Sequence, residues 1–456
     1  MQGKPRAGAP AHNGGLRHCV VLAMTPHSDV LIVGAGPAGL SLAIALAQAG
    51  FTATVVEQQA DTALAQPAPD GREIALTHPS RATLQRLGSW AHLAGHEVGR
   101  IAEAQVHDGP LGRHSALQLN AASGTHGAHV AHVAHGGVAA TGPGPLGFIV
   151  PNHALRRSTY TVAARTPGVN ILTGARVTRV ATLGAQAELD YVPADDSAAA
   201  PRRLCAPLLV AADSRFSATR RQLGIAAQMT DFGRTVIVCR MRHTRPHGDV
   251  AHECFGYDRT LAVLPLPDDP EGGHPLCSVV VTAAAADAAA LMALSPEAFA
   301  AQVQAQFDAR LGPMQLVGER HAYPLVAVYA QRFAGPRCAL LGDAAVGMHP
   351  VTAHGYNLGL AGVERLTAAL VAARQRGQDI GSAEALAAYA QGHHRHAWPI
   401  YQGTNAIVRL YTDPRPVPRL LRQWVLQGAR RLPPLQAAIV GQLTGHPPAW
   451  ARWLAP

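Results

Sequence analysis

A glycine-rich turn near the start of the chain narrows what it can fold into. Asp29-Val30-Leu31-Ile32-Val33 is a short apolar, β-branched run and reads as a buried parallel strand. It leads directly into Gly34-Ala35-Gly36-Pro37-Ala38-Gly39, and Ala38 to Ala49 is a run of helix formers closed by Gly50, a suitable residue just past a helix end. Thr52 to Val56 is β-branched again and ends in Glu57. That is one β–α–β unit in about 30 residues. Within the G-x-G-x-x-G pattern, Gly34 permits the tight turn, Gly36 lets a pyrophosphate approach the backbone, and Gly39 lets the helix pack on the strand. The helix N-terminus offers free amides and a partial positive charge to phosphates. Glu57, 18 positions after Gly39, stands where a ribose 2′-hydroxyl needs an acceptor. An acid there disfavours a 2′-phosphate, so the adenosine belongs to FAD or NAD. The competing reading is a glycine-rich turn that binds nothing.

With 456 residues the chain exceeds the length of one typical domain and has room for a cofactor cleft. Hydrophobic residues make up 48% and charged residues 15%, which fits a globular chain and not a disordered one. The net charge of +9 is almost all arginine, Lys4 being the only lysine. This reads as coding bias with solubility, or as attraction toward anionic lipid or cofactor phosphate; no nucleic-acid partner is expected. Six cysteines (Cys19, Cys205, Cys239, Cys254, Cys277, Cys338) form no C-x-x-C pair. Neither a zinc site nor a disulfide framework is suggested, and a cytoplasmic location is expected. No apolar run approaches the roughly 18 residues of a membrane span, and Cys19 to Ala23 is too short for a signal sequence. Residues 1–27 read as a mobile tail or a mis-assigned start.

Further along, Asp70 to Leu87 reads as a loop entering a helix. Residues 121–147 are rich in Ala, Gly and His, with His126, His129, His132 and His135 at a three-residue period. That spacing offers metal ligands, but no carboxylate or cysteine joins them and the glycines oppose a helix, so a surface loop is the preferred reading. Phe148 to Val150, Val169 to Leu172, Arg176 to Val180 and Leu208 to Ala211 read as strands, with a helix through Thr159 to Ala164. From 230 to 330 the pattern is β-rich (Thr235 to Met241, Thr260 to Leu266, Cys277 to Thr282), with a helix near Pro296 to Leu311. Cys338 to Leu341 reads as a last buried strand and Gly359 to Arg374 as a helix; the chain is helical beyond about 395.

A second motif separates FAD from NAD. Leu340-Leu341-Gly342-Asp343-Ala344-Ala345 places an acid just after a strand, some 300 positions beyond the glycine turn, and runs on through His349-Pro350-Val351-Thr352-Ala353-His354-Gly355-Tyr356-Asn357. A flavin needs such a remote contact, because its ribityl chain and ring extend away from the ADP half. Asp343 is then the acceptor for a ribityl hydroxyl. Gly355 and the amides of Tyr356 and Asn357 lie over the pyrimidine ring at a helix N-terminus, which stabilises the reduced flavin's negative charge.

Taken together, these residues resemble the FAD-dependent aromatic hydroxylases of the para-hydroxybenzoate hydroxylase type. Within them the chain is most similar to the ubiquinone-biosynthesis hydroxylases, in a demethoxyubiquinol hydroxylase-like branch. Besides the two motifs above, Asp70-Gly71-Arg72-Glu73-Ile74-Ala75-Leu76-Thr77 is similar to D-G-R-x-x-A-L-S, and the segment from Ala212 to Arg220 to A-D-G-x-x-S-x-x-R. With Asn405 onward, the likeness spans roughly residues 28–445. It implies that Arg72 lies near the flavin and that Asp213 faces FAD and NAD(P)H. It also implies O₂ as co-substrate, NAD(P)H or another electron donor, and ring hydroxylation through a flavin C4a-hydroperoxide in a dry pocket. Two positions depart from the pattern. Asp-Gly is Asp213-Ser214 here, which would cost on the order of 1 kcal/mol if the glycine served a positive φ. The usual G-Q-G is Ala353-His354-Gly355, where His354 either tunes the flavin or fills the glutamine's space. His349 is a candidate general base or, with Pro350, the shape of a turn beside the flavin.

The expected architecture is α/β. A Rossmann-like FAD-binding domain is built from residues 28–100, 150–225 and 335–395, with an inserted, mostly antiparallel substrate domain from 101–149 and 226–334 and a helical segment at 396–456. The expected substrate is a polyprenylated quinol or phenol. The alternatives are a small soluble phenol or polyketide, or a non-oxygenating FAD-bearing subunit of a biosynthetic complex. Other ubiquinone-biosynthesis proteins are candidate partners. Leu420, Leu421, Trp424 and Val425 among Arg419, Arg422, Arg430 and Arg431 fit either a basic helix lying on the inner membrane or a helix packed on the FAD domain.

Overall fold

The computed structural model describes residues 28–109, 111, 117–121, 144–256, 259–349, 354–412, 425, 428 and 431–446. The N-terminal tail, the histidine-rich segment, Pro350 and most of the Arg/Leu/Trp cluster near 420 lie outside the described residues. The chain begins with β1 (Val30–Val33), α1 (Pro37–Gln48), β2 (Ala53–Val56), α2 (Asp61–Ala65), β3 (Glu73–Leu76) and α3 (His78–Arg86). Next come β4 (Gly99–Ile101), β5 (Glu103–Asp108), β6 (Leu117–Asn120), β7 (Gly147–Pro151), α4 (Asn152–Ala163), β8 (Val169–Leu172) and β9 (Ala175–Leu183). The middle holds β10 (Gln186–Pro193), β11 (Arg202–Ala206), β12 (Leu208–Ala211), α5 (Ala218–Gln222), β13 (Ala227–His243), β14 (Val250–Phe255), β15 (Thr260–Leu266) and β16 (Leu276–Ala284). It continues through α6 (Ala285–Ala293), α7 (Pro296–Gln306), β17 (Met314–Ala330), β18 (Ala334–Gly335), β19 (Cys338–Leu340) and β20 (Val346–Gly347). Helices α8 (Gly355–Gln375), α9 (Ala383–Thr412) and α10 (Pro433–Thr444) end it.

The first sheet has the order β18-β19-β12-β1-β2-β8, parallel except at the β18 edge. Its central strand is apolar throughout because both faces are covered. Val30 and Ile32 join the core beneath the helices, while Leu31 and Val33 pack with Val180 and Leu189 of the β9–β10–β11 sheet. Strand order reverses at β1, with β2 on one side and β12 on the other. In open α/β sheets a ligand crevice forms outside the carboxyl ends of the strands at such a reversal, and Gly34 follows β1 there.

The second large sheet has the order β20-β17-β13-β16-β15-β14-β5-β6, antiparallel except where β5 pairs with β14. One face carries α6 and α7 over Cys239 and Cys254, with Phe307 at the end of α7 in the same core. The other faces the rest of the molecule, including the β3–β7–β4 sheet, α9 and α10. Strand β17 escapes the sequence pattern because Gly318-Glu319-Arg320-His321 and Pro324 interrupt its apolar alternation. Its pairing with β13 also shifts register twice. Helix α7 stops at Gln306, short of the expected Leu311, where Asp308 and Ala309 turn the chain through positive φ. Helix α8 starts at Gly355, four residues before the expected Gly359, since glycines at 355 and 359 mask its first turn. The expected boundaries at 150 and 396 fall inside β7 and α9. Among the described residues, no helix is long and apolar enough to cross a membrane.

Candidate functional site

The glycine turn is held by its neighbours on both sides. Gly34 has φ +106° and donates its N–H to Val56 O at 2.9 Å. A Cβ on Gly34 would lie 2.6 Å from Ala212 O, and one on Gly39 would collide with the Gly34 carbonyl. Gly36 differs: a Cβ there would meet no protein atom within 4 Å. Pro37 opens α1 with its φ pre-set, leaving the first amides of the helix facing that space. Glu57 accepts from Ala35 N at 2.8 Å and Gln59 N at 2.9 Å. It therefore braces the turn while keeping acceptor capacity, since a carboxylate has about four lone-pair sites.

The late motif reaches the same place. Leu341 donates its N–H to Ala211 O at 2.8 Å, and a Cβ on Gly342 would sit 3.3 Å from the Ala38 Cβ. The two segments, some 300 residues apart in sequence, thus meet at the carboxyl ends of β1, β12 and β19. Arg215 Nη2 donates to one Asp343 carboxylate oxygen at 3.0 Å, and Arg215 Nη1 to Val326 O at 3.1 Å. Asp213 accepts from Ser217 Oγ at 2.5 Å and Thr219 N at 3.2 Å, at the start of α5. Ser214 is not among the described residues with positive φ, so the glycine-to-serine change carries no backbone strain.

Around the start of α8, a Cβ on Gly355 would meet nothing within 4 Å, so backbone amides and open space coincide there as they do at Gly36. These two cradles fit a long cofactor with a phosphate end and a ring end. The Asn357 side chain is engaged elsewhere: Oδ1 accepts from Thr77 N at 3.0 Å and Nδ2 donates to Ala75 O at 2.9 Å. Tyr356 is turned toward Ser41 and Thr159, and burial pushes its hydroxyl pKa up to about 12. Both residues could meet a ring only through their backbone, not through their side chains. His354 is buried at the N-cap of α8, with Nε2 3.4 Å from Gln442 Nε2 of α10. His349 is buried edge-on to Phe232, ring centroids 5.2 Å apart. Burial, then Arg215 and Arg234, lower its pKa to about 4, so it is neutral at pH 7 and has little drive to take a phenol proton.

Comparison with known proteins agrees with this geometry. Residues 27–404 match the family model described as FAD binding domain. The chain is 44% identical over 436 residues to ubiquinone hydroxylase UbiM of Neisseria meningitidis, covering 96% of this chain and 88% of the relative. The chain belongs to the FAD-dependent ubiquinone hydroxylases. It is also 33% identical to ubiquinone hydroxylase UbiL of Rhodospirillum rubrum, covering 92% of this chain and 90% of the relative. Among solved structures, p-nitrophenol 4-monooxygenase PnpA of Pseudomonas putida shares the fold with a TM-score of 0.70 at 17% identity, covering 92% of this chain and 98% of that one.

In this hydroxylase, Arg72 directly precedes β3, where the β3–β7–β4 sheet meets β17 of the second large sheet. It pairs with Asp70 at 2.5 Å and sits over the Tyr323 ring, 5.6 Å from the centroid, while Tyr323 Oη donates to Asp70 O at 2.8 Å. Burial pushes the Asp70 pKa up, but Arg72 and Asn152 together hold it below the usual range. The adjacent Glu73 is buried against Arg240 of β13 at 2.8 Å, and burial raises its pKa to about 7 against the pull of that guanidinium. Neither Glu73 nor Arg240 stood out in the sequence; the only signal was the acid directly following D-G-R. A cavity of about 160 Å³ lined by His96, His153, Arg240 and Asp268, among others, contains no residue of the cofactor motifs.

Arg215 and Arg220 were legible only as letters of a motif. Arg220 is buried, and its Nη1 donates to Arg215 O at 3.1 Å and Ala344 O at 2.9 Å, tying α5 to the Gly342–Asp343 turn. Arg220→Ala strands both carbonyls, so it is expected to destabilise the protein by about 2–4 kcal/mol and to weaken FAD retention. Thermal unfolding and flavin absorbance measure the two effects.

Proposed function

We propose that this chain uses FAD to hydroxylate the aromatic ring of a polyprenylated quinol or phenol on the route to ubiquinone. The observation that carries this reading is the match along nearly the whole chain to a ubiquinone hydroxylase of Neisseria meningitidis. Gly34, Gly36, Ala38 and Gly39 with the first amides of α1 would hold the pyrophosphate, and Glu57 a ribose hydroxyl. Asp343, seated by Arg215 and following Gly342, would take a ribityl hydroxyl. Asp213 and Arg72 would border the cofactor, and the backbone of Gly355, Tyr356 and Asn357 would face its ring. His349 would border that ring, and His354 would support it from the α8 N-cap. When bound, FAD supplies the O₂ activation that ring hydroxylation requires. One oxygen atom enters the ring and the other leaves as water, with two electrons drawn from NAD(P)H or another donor. The apolar wall of Val236, Val238, Val280 and Leu325 suits an aromatic substrate and excludes water from its vicinity.

A polyprenyl tail keeps its owner in the bilayer, so the reading includes peripheral contact with the inner membrane and with other proteins of the same pathway. Two experiments test it. Cells lacking the protein are expected to accumulate a quinone precursor short of one ring hydroxyl. The purified holoprotein is expected to consume O₂ faster when a short-tailed precursor is added and to release the hydroxylated product. Full FAD occupancy with no substrate-stimulated turnover and a normal quinone profile would reject the reading.

A further inference from the structure

Strand β14 carries a carboxyl group that neither the cofactor nor the fold uses. Along β14 the side chains alternate. Cys254 joins the core beneath α6 and α7, whereas Ala251 and Phe255 belong to the opposite face. Glu253 shares the parity of Ala251 and Phe255 and so stands on that inner face. Its cross-strand neighbours are Ala262 of β15 and Val106 of β5, and two residues on, the Phe255 ring lies 4.2 Å from that of Tyr411 in α9. Among the described residues, no hydrogen bond or ion pair reaches the Glu253 carboxyl. Protein surrounds it closely enough that burial alone raises its pKa to about 8, yet it is only half-buried by accessible surface. The two facts agree if the exposed surface borders an internal space and not bulk water.

The surroundings connect that inner face to the cofactor cradle. The same inner wall packs on Ala75 of β3, whose carbonyl is held by Asn357 in the first turn of α8. Helix α10 bridges the two, with Val440 and Leu443 against the wall and Gln442 beside His354. A carboxyl without a partner among the described residues, set on an apolar wall, is destabilising there, and a hydrocarbon would fill the position at no such cost. We infer that Glu253 binds the substrate, its carboxyl group accepting a hydrogen bond from a hydroxyl on the aromatic ring. At neutral pH the carboxyl is largely protonated, which lets it meet an uncharged ring without burying a lone charge. This inference rests on the proposed ring-hydroxylase reading and names one specificity contact within it.

The test compares holoenzyme bearing Glu253→Leu and Glu253→Gln with the parent, using a short-tailed prenylated phenol and its methyl ether. Binding is read from flavin fluorescence and turnover from product formation. Glu253→Leu is expected to retain FAD and to bind the phenol at least about tenfold more weakly. The methyl ether should bind parent and variant alike, and Glu253→Gln, which keeps an acceptor oxygen, should stay within about threefold of the parent. Unchanged phenol binding by FAD-loaded Glu253→Leu would overturn the inference, as would an equal loss for phenol and ether. If the parent binds the phenol but never oxygenates it, the hydroxylase reading fails while the binding comparison still decides Glu253. If the parent binds no prenylated phenol, both fall.

Discussion

Gly39→Val protein is expected to purify without flavin colour. The added Cβ would collide with the Gly34 carbonyl and come within 3.4 Å of the Ala212 Cβ. The obstacle is backbone, so no side-chain rotation relieves it, and α1 must move away from the turn it caps. The cost should be several kcal/mol, with FAD affinity down by at least about 100-fold, since each 1.4 kcal/mol is a factor of ten. Gly36→Ala separates ligand from fold. Gly36 is extended, with φ −68° and ψ 169°, and its Cβ would point into open space, so the apoprotein should melt at the parent temperature. FAD affinity should nevertheless fall about 10–100-fold, because the methyl group stands where a phosphate must approach the amides. Flavin absorbance after gel filtration and melting of the apoproteins distinguish the two variants. A fully flavinated Gly36→Ala protein would show that no phosphate approaches at that point.

The other large effect is a gain. Glu253→Leu should be more stable than the parent, and increasingly so as pH rises. Burial holds the folded-state pKa of Glu253 at about 8, against an ordinary value of 4.5. Between those values the unfolded chain releases a proton that the folded chain keeps, so raising the pH progressively favours unfolding. The contribution is harmless below the unfolded pKa and reaches its full cost above the folded one. A leucine does not titrate. The stability difference between variant and parent should therefore widen from about pH 5 to about pH 8 and then level off, with a limit on the order of 5 kcal/mol. Urea unfolding of both apoproteins across that range provides the measurement. A difference that stays constant with pH would mean that the carboxyl is well solvated in the folded state.

Much of the chemistry was legible in the residue order because local backbone requirements leave local traces. The turn from Gly34 to Gly39 needs glycines at set positions, and β1 and β12 need unbroken apolar runs because sheet and helices cover both their faces. The Gly342–Asp343 motif was readable for the same reason. The long β17, by contrast, was hidden. Its central residues are polar and its pairing with β13 slips register twice, so neither period-two alternation nor composition marks it. The side chains of Tyr356 and Asn357 also escaped, because where they point depends on Ser41, Thr159, Ala75 and Thr77, contacts far away in sequence.

The order of amino acids alone determined the cofactor class, the α/β organisation and the family, since each rests on spacings within short segments. Only the tertiary structure decided that Arg220 clamps the late turn, that Glu73 meets Arg240 between sheets, and that Glu253 faces an inner wall beside Ala262 and Val106. Those properties are set by burial and by partners brought together through folding. A charged residue in a strand carries no mark of which face it will occupy until its neighbours are in place.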